Sequence, residues 1–148
     1  MTKNDFNKSG ICNKKIDEIM RVSIDADNRN AYRIIMHPSN ELIKKEDFYP
    51  TFILRNKNSI PSEEKQLNRD VEYFGVSLFD TYENVVNFKE TVISFRDHDD
   101  YCFAKGVVDK NKGTMGIFES NGHFQFFLFD PVGNNPYQDF EYVEKEDE

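Results

Sequence analysis

The stretch from Glu72 to Phe88, EYFGVSLFDTYENVVNF, decides the fold of this 148-residue chain. Its first half, Tyr73 to Phe79, predicts a short buried strand because its residues are mostly aromatic or aliphatic. A helix is predicted to begin at Asp80 or Thr81. Asp80 can accept a hydrogen bond from the first-turn amides while Glu83 reaches back, which is the pattern of a capping box. A strand that turns directly into a helix is therefore predicted at the centre of the molecule.

Further apolar runs predict the elements around this centre. The run from His123 to Phe129 is the most apolar in the sequence, and after a hairpin turn at Asn121-Gly122 it is predicted to lie inside the sheet. Other strands are predicted at Ala31 to Met36, Tyr101 to Val108, Thr114 to Glu119 and, as an edge strand, Tyr137 to Val143; helical segments are predicted from Asn13 to Val22 and from Glu63 to Leu67. These elements predict an α+β fold, with a mixed, mostly antiparallel sheet and two or three packed helices.

The length favours a single domain that comprises residues 1–148. Fourteen Phe and seven Tyr supply much of the volume of its core. Residues 1–12 are polar and are expected to be flexible. Residues 55–70 form a long polar loop, which is interpreted as a surface loop or, alternatively, as a lid over a site.

The net charge of −8 is concentrated at the C-terminus. Residues 139–148 contain six acidic residues and Lys145, a net charge of −5, so the rest of the chain carries −3. Direct nucleic-acid binding is not expected, since it requires a basic surface. The acidic tail is interpreted as a solvated segment that favours solubility. A surface that mimics phosphates and docks on a basic partner is the alternative.

The sequence predicts a cytoplasmic protein. It contains no apolar run long enough to span a membrane and no apolar leader at its N-terminus. Cys12 and Cys102 are far apart and lack a paired motif, which favours two free thiols in a reducing compartment.

The sequence shows no recognisable catalytic or metal-binding motif. His98 is flanked by Asp97 and Asp99, but neighbours so close in sequence rarely converge on one ion, so a solvated acidic turn is preferred. The glycines are isolated, and no serine or cysteine stands in a nucleophile motif. No catalytic residue, metal ligand or cofactor is therefore predicted.

Four polar residues on three predicted strands form the candidate ligand-binding site: Arg33, Ser77, His123 and Gln125. Ser77 lies shortly before a helix N-terminus, where free N–H groups favour an anion. His123 and Gln125 alternate with phenylalanines and so share one face of their strand, lining either a cleft or a solvated face. Arg33 shares a face with Ile35, which indicates an edge position or a charge that faces a cleft.

The order of these elements resembles the ADP-ribosyltransferase family. The resemblance rests on a first strand with Arg33, a strand with Ser77 that runs into a helix, and a later strand with polar residues. It implies that Arg33 and Ser77 hold NAD. The family's directing glutamate is missing, because His123 and Gln125 occupy that strand. Without this carboxylate, glycosidic transfer loses electrostatic stabilisation, so a non-catalytic version is favoured.

The sequence therefore predicts a non-catalytic cytosolic binding protein that recognises a partner protein or a small ligand. Segments 47–48, 75–79 and 122–124 are similar to small bacterial proteins of unassigned activity, and bacterial immunity, toxin–antitoxin systems or phage conflict are the expected settings. The alternative is an ADP-ribosyltransferase-like or other nucleotide-using enzyme with NAD as its cofactor. A third hypothesis is an inhibitor that mimics DNA through residues 139–148.

Overall fold

A computed structural model describes residues 2–92 and 99–144 of the chain. The strands are β1 (Ser23–Asp25), β2 (Asn30–Ile35), β3 (Val76–Phe79), β4 (Cys102–Val107), β5 (Gly113–Gly116), β6 (His123–Leu128) and β7 (Phe140–Tyr142). The α-helices are α1 (Asn13–Val22), α2 (Thr51–Leu54), α3 (Glu63–Leu67) and α4 (Tyr82–Thr91). Short 3₁₀ helices are found at Lys3–Phe6, Lys45–Phe48, Val71–Phe74 and Pro136–Asp139. The residues named in the predicted tail at 145–148, and Asp97 and His98 of the predicted acidic turn, lie outside the described residues.

The described strands form one antiparallel sheet in the order β1-β5-β6-β3-β2-β4-β7. This arrangement confirms the predicted α+β fold. Strand β3 is central, and the apolar strand β6 is flanked on both sides, as its composition indicates. The 3₁₀ helix Val71–Phe74 takes up the first part of the segment predicted as a strand from Tyr73. The described helices contain no segment long and apolar enough to cross a membrane.

The two faces of the sheet pack against two separate clusters of apolar side chains. Register places Ser77 opposite Gln125 and Leu78 opposite Phe124, so alternate residues point to opposite faces. The first cluster includes Ala31, Ile35, Phe48, Val76, Leu78, Ala104, Phe124, Phe126 and Phe140. The second lies under α1 and α2 and includes Phe6, Ile16, Ile19, Phe52, Ile53, Phe74 and Phe127. Aromatic rings fill both, as the composition suggests.

Helix α4 follows β3 after a short turn, but its cap differs from the predicted one. The N-cap is Thr81, whose Oγ1 accepts a hydrogen bond from the Asn84 N–H at 3.1 Å. Asp80 instead accepts from Asn84 Nδ2 at 2.7 Å, so the predicted box between Asp80 and Glu83 is wrong. The chain turns one residue later than Asp80 because the threonine hydroxyl reaches the first-turn amide.

The N-terminal segment, for which the sequence predicts flexibility over residues 1–12, contributes two apolar side chains to the second cluster. Phe6 is 1% exposed and Ile11 is 7% exposed. Gln66, on the predicted and observed helix α3, ties this segment to the polar loop through hydrogen bonds to Gly10 and Cys12. The apolar residues inside the polar segment thus matter more than its average composition.

Strands of three residues, β1 and β7, form the two edges of the sheet. The sequence predicts the edge strand β7, whereas it does not predict β1, which begins directly after the helix from Asn13 to Val22. Asp25 on β1 and Glu141 on β7 place a carboxylate on each edge. Next to β7, Asp139 is not part of a free tail, since it forms an ion pair with Lys112 at 2.6 Å.

Candidate functional site: a cleft beside Ser77

A gap opens between two neighbouring strands of the sheet. Strand β2 pairs with β4 through all six of its residues. In the part of the chain that the structure describes, β2 pairs with β3 at one position, Tyr32 with Phe79. By the alternation of an antiparallel ladder, Ile34 and Ser77 turn backbone N–H and C=O groups into the space beyond this pair. The gap therefore interrupts the ladder of backbone hydrogen bonds in the middle of the sheet.

Two adjoining cavities at this gap form what we call the Ser77 cleft. The first has a volume of about 270 Å³ and its wall is mainly apolar. The second has a volume of about 570 Å³, is polar, and shares Thr51 and Ser77 with the first. The apolar wall includes Ile34, Met36, Leu54, Phe79 and Phe88, and the polar wall includes Asn68, Arg69, Asp70, Glu72, Tyr73 and Gln125. Ser77 thus stands at the boundary between an apolar and a polar compartment.

Gln125 is the most unusual residue of the cleft. Its side chain is buried, with 3% of the residue exposed. Its Nε2 donates a long hydrogen bond of 3.4 Å to Ser77 Oγ, while its Oε1 has no hydrogen-bond partner among the described residues. A buried acceptor without a partner costs about 1–3 kcal/mol. Native proteins keep few such groups, so this oxygen points to a function.

Gly75 makes room for this carboxamide. A Cβ atom at position 75 would lie 2.5 Å from Gln125 Oε1 and 2.9 Å from Gln125 Cβ. An isolated glycine beside a strand is a known signal of such close approach, and it is the signal by which the sequence could have pointed to Gly75. Thr51, another cleft residue that the sequence does not predict, carries no comparable signal because it joins the cleft only through the packing of α2.

Arg33 lies on the opposite face of the sheet from the side chains of Ser77 and Gln125, with Ala104 as its cross-strand partner. Its guanidinium donates to the backbone oxygens of Asp47 at 2.7 Å and Ser77 at 2.8 Å, and its Cζ lies 5.3 Å from the centre of the Phe48 ring. Burial lowers the pKa of Arg33 to about 10, against the opposing effect of the Asp47 charge. Arg33 therefore borders the cleft, but its guanidinium is used to join β2 to β3 and to the Asp47 segment.

His123 shares the Gln125 face, as the alternation predicted, but it does not line the two cavities. Its Nδ1 lies 2.9 Å from Glu119 Oε1. Its ring stacks on Phe88 with a centroid distance of 6.2 Å and contacts Phe79 at 5.2 Å. Of the four predicted residues, the structure therefore brings Ser77 and Gln125 together, places Arg33 behind them and leaves His123 at the far end of the strand.

A cysteine, a histidine and an aspartate also meet near the end of β2, a group that the sequence analysis did not bring together. His37 Nε2 lies 2.8 Å from Asp47 Oδ2, and its Nδ1 lies 3.0 Å from the Pro38 oxygen. The Cys102 thiol donates to the His37 carbonyl oxygen at 3.1 Å, not to the ring. Burial raises the pKa of Cys102 to about 11 and that of Tyr142 to about 12. A protonated thiol beside a fully engaged imidazole is not an activated nucleophile.

No protein-family model, no curated protein and no solved structure matches this chain. The residues that the ADP-ribosyltransferase resemblance assigns to NAD, Arg33 and Ser77, point their side chains to opposite faces of the sheet. Within residues 2–92 and 99–144, no three His, Cys, Asp or Glu side chains are grouped as metal ligands are. The function must therefore be argued from the Ser77 cleft itself.

Proposed function

We propose that this protein is a non-catalytic cytoplasmic binding protein that holds a small organic ligand in the Ser77 cleft. The observation that carries the proposal is the buried Oε1 of Gln125, which has no partner among the described residues and belongs to the polar wall of the cleft, next to the apolar cavity that Ser77 also lines. A ligand N–H group would satisfy this oxygen and remove the cost of burying it. The free thiols of Cys12 and Cys102 support a reducing compartment.

The cleft favours a ligand with an apolar ring and an N–H donor. Phe79 and Phe88 offer aromatic surface to the ring, and Leu54 and Met36 complete the wall. The hydroxyl of Ser77 and the backbone groups beside it provide further hydrogen bonds at the rim. Mostly apolar surface with a few convergent polar groups is the usual composition of small-molecule sites.

The polar groups most suited to catalysis are engaged elsewhere, which supports a binding role. Arg33 is bound to two backbone oxygens, and His37 has partners at both ring nitrogens. The thiol of Cys102 is held in its protonated form by burial. A binding function needs none of these groups to be reactive.

Indole and 1-methylindole test the proposal, because they differ chiefly in the N–H donor. Calorimetric titration is expected to show that indole binds the wild type at least about tenfold more tightly than 1-methylindole does. This ratio corresponds to one hydrogen bond to a buried acceptor. Ser77→Leu, which fills the boundary of the cleft, is expected to abolish indole binding. Ser120→Leu makes the same change on the exposed hairpin and is expected to leave binding unchanged.

Equal affinity for the two indoles, or equal loss in both serine variants, would overturn the proposal. NAD is included as a second probe because of the predicted alternative. If labelled NAD is transferred to an acceptor and Ser77→Ala abolishes the transfer, the protein is an enzyme and the non-catalytic assignment is wrong.

A further inference from the structure

A basic cavity adjoins the Ser77 cleft. It has a volume of about 530 Å³, and its lining contains three cations and no carboxylate. We call it the basic cup; it is lined by Arg55, Asn56, Pro61, Lys65, Asn68, Arg69 and Tyr73. This concentration of positive charge contrasts with the chain's net charge of −8.

The fold holds the three cations around one space. Arg55 ends α2, where its N–H donates to the Thr51 oxygen at 2.9 Å, and Lys65 lies on α3. The Arg69 guanidinium lies 4.6 Å from the centre of the Tyr73 ring, which restricts its orientation. Arg69 lies in the turn after α3, where its N–H donates to the Gln66 oxygen at 3.1 Å.

The positive charge of the basic cup is not neutralised by the protein. Within the part of the chain that the structure describes, none of the three cations forms an ion pair with a carboxylate. Like charges around one cavity repel each other, and an anion between them removes that repulsion. The cup is therefore prepared for a negatively charged group.

The basic cup and the Ser77 cleft form one continuous surface. Asn68, Arg69 and Tyr73 line both the cup and the polar part of the cleft. Along this surface an apolar wall is followed by the Ser77 hydroxyl and the Gln125 amide, and then by the cations. One ligand can reach all three environments.

We propose that the basic cup binds the phosphate of a small phosphate ester whose ring occupies the Ser77 cleft, a ligand of the nucleoside monophosphate class. This inference rests on the proposed function. Two guanidinium groups and an ammonium suit a doubly charged tetrahedral anion, since guanidinium pairs with phosphate through two parallel hydrogen bonds. The exocyclic amino group of a nucleobase is an N–H donor of the kind that Gln125 Oε1 lacks.

A small ligand fits this surface better than a nucleic acid strand. Asp70 and Glu72 line the polar part of the cleft, and Glu63 and Glu64 lie exposed at the start of α3. These carboxylates repel an extended polyanion on either side of the cup, whereas one phosphate contacts the cations alone.

The test compares inorganic phosphate, adenosine and adenosine 5′-monophosphate by calorimetric titration at constant ionic strength. The nucleotide is expected to bind at least about tenfold more tightly than either of its parts, because both compartments contribute. The double variant Arg55→Ala/Lys65→Ala is expected to weaken nucleotide binding by about tenfold or more, as befits the loss of charge-assisted hydrogen bonds. It leaves the contact between Arg69 and Tyr73 in place.

The matched control is the double variant Lys14→Ala/Arg21→Ala, which removes the same two residue types from the exposed face of α1. It is expected to change the nucleotide affinity by less than about twofold, since exposed charges that do not line the cup are screened by salt. If the two double variants weaken nucleotide binding equally, the cations act only through non-specific electrostatic attraction, and the proposal is overturned.

Failures of the two proposals give different results. If the nucleotide binds no more tightly than inorganic phosphate while indole still binds, the inference about the nucleotide fails and the proposed function stands. If indole does not bind either, the proposed function fails. If adenosine binds and the phosphate adds no affinity, the basic cup fails while the cleft stands. An absence of nucleotide and phosphate binding at millimolar concentration, with indole still bound, also means that the basic cup fails while the cleft stands.

Discussion

Two buried glutamines show the difference between a structural polar group and a functional one. Gln66 is 2% exposed and Gln125 is 3% exposed. Gln66 Oε1 accepts from the Cys12 N–H at 2.7 Å, and its Nε2 donates to the oxygens of Gly10 and Pro61 at 2.9 and 3.0 Å. Gln125 has one long bond to Ser77 and an oxygen without a partner in the described chain.

The comparison teaches that burial alone does not mark a site. Gln66 replaces hydrogen bonds that three backbone groups would otherwise make with water, so its role is complete within the fold. Gln125 leaves one bond unmade next to a cavity, and that bond is what a ligand can supply.

The largest effect is expected for Gln66→Leu. The substitution leaves three backbone groups without partners, and at about 1 kcal/mol each it should lower the free energy of unfolding by about 3 kcal/mol. Urea unfolding measures the loss. Gln138→Leu, at an exposed glutamine, is the control and should change stability by less than about 0.5 kcal/mol. A small loss at position 66 would remove the distinction between the two buried residues.

Gly75→Ala is expected to lower the free energy of unfolding by about 2 kcal/mol, since the new methyl group collides with the Gln125 side chain. The double variant Gly75→Ala/Gln125→Ala should recover most of this loss. A double-mutant cycle by urea unfolding measures the coupling. Additive effects in the cycle would show that the carboxamide does not approach Gly75.

His37, like Gln66, makes hydrogen bonds that stabilise the fold, but its contribution depends on pH because its imidazole titrates. Its pKa is raised: burial alone would lower it, but the hydrogen bond and charge of Asp47 and the Pro38 oxygen outweigh that effect. The resulting stabilisation is fully present below the unfolded pKa of about 6.5 and is lost as pH rises through the higher folded pKa. The stability advantage of the wild type over His37→Gln should fall as pH rises from 5.5 to 8.5. Urea unfolding across this range checks the sign; a rising advantage would contradict it.

The smallest effect on stability is expected for Gln125→Leu. Leucine removes an oxygen that has no partner in the described chain and fills about the same side-chain volume. The free energy of unfolding should therefore stay within about 1 kcal/mol of the wild type. Indole binding should nevertheless weaken by about tenfold, because the acceptor is gone. A large loss of stability without a loss of binding would assign Gln125 to the same class as Gln66.

The sequence predicts more of the fold than of the candidate site. The apolar run of β6 predicts an interior strand, and the alternation of side chains places Gln125 on the His123 face and Arg33 on the Ile35 face. Arg33 also binds the backbone oxygen of Asp47, which belongs to another segment of the chain, and the periodicity of the sequence does not predict this contact.

The cleft itself follows from tertiary packing. The separation of β2 from β3 arises where the Arg33 guanidinium takes the place of a ladder hydrogen bond at the Ser77 oxygen. The polar composition of residues 55–70 hides both the buried Gln66 and the cations of the basic cup.

The three-residue strands at the two ends of the sheet bear on self-association. Exposed strand edges are templates for pairing between copies, and short, charged edges suppress it. With Asp25 on one border and Glu141 on the other, two molecules that approach edge to edge bring like charges together over very little backbone. Concentrated solutions should therefore resist fibrous assembly, even though the interior strand β6 is strongly apolar and contains no Pro or Gly.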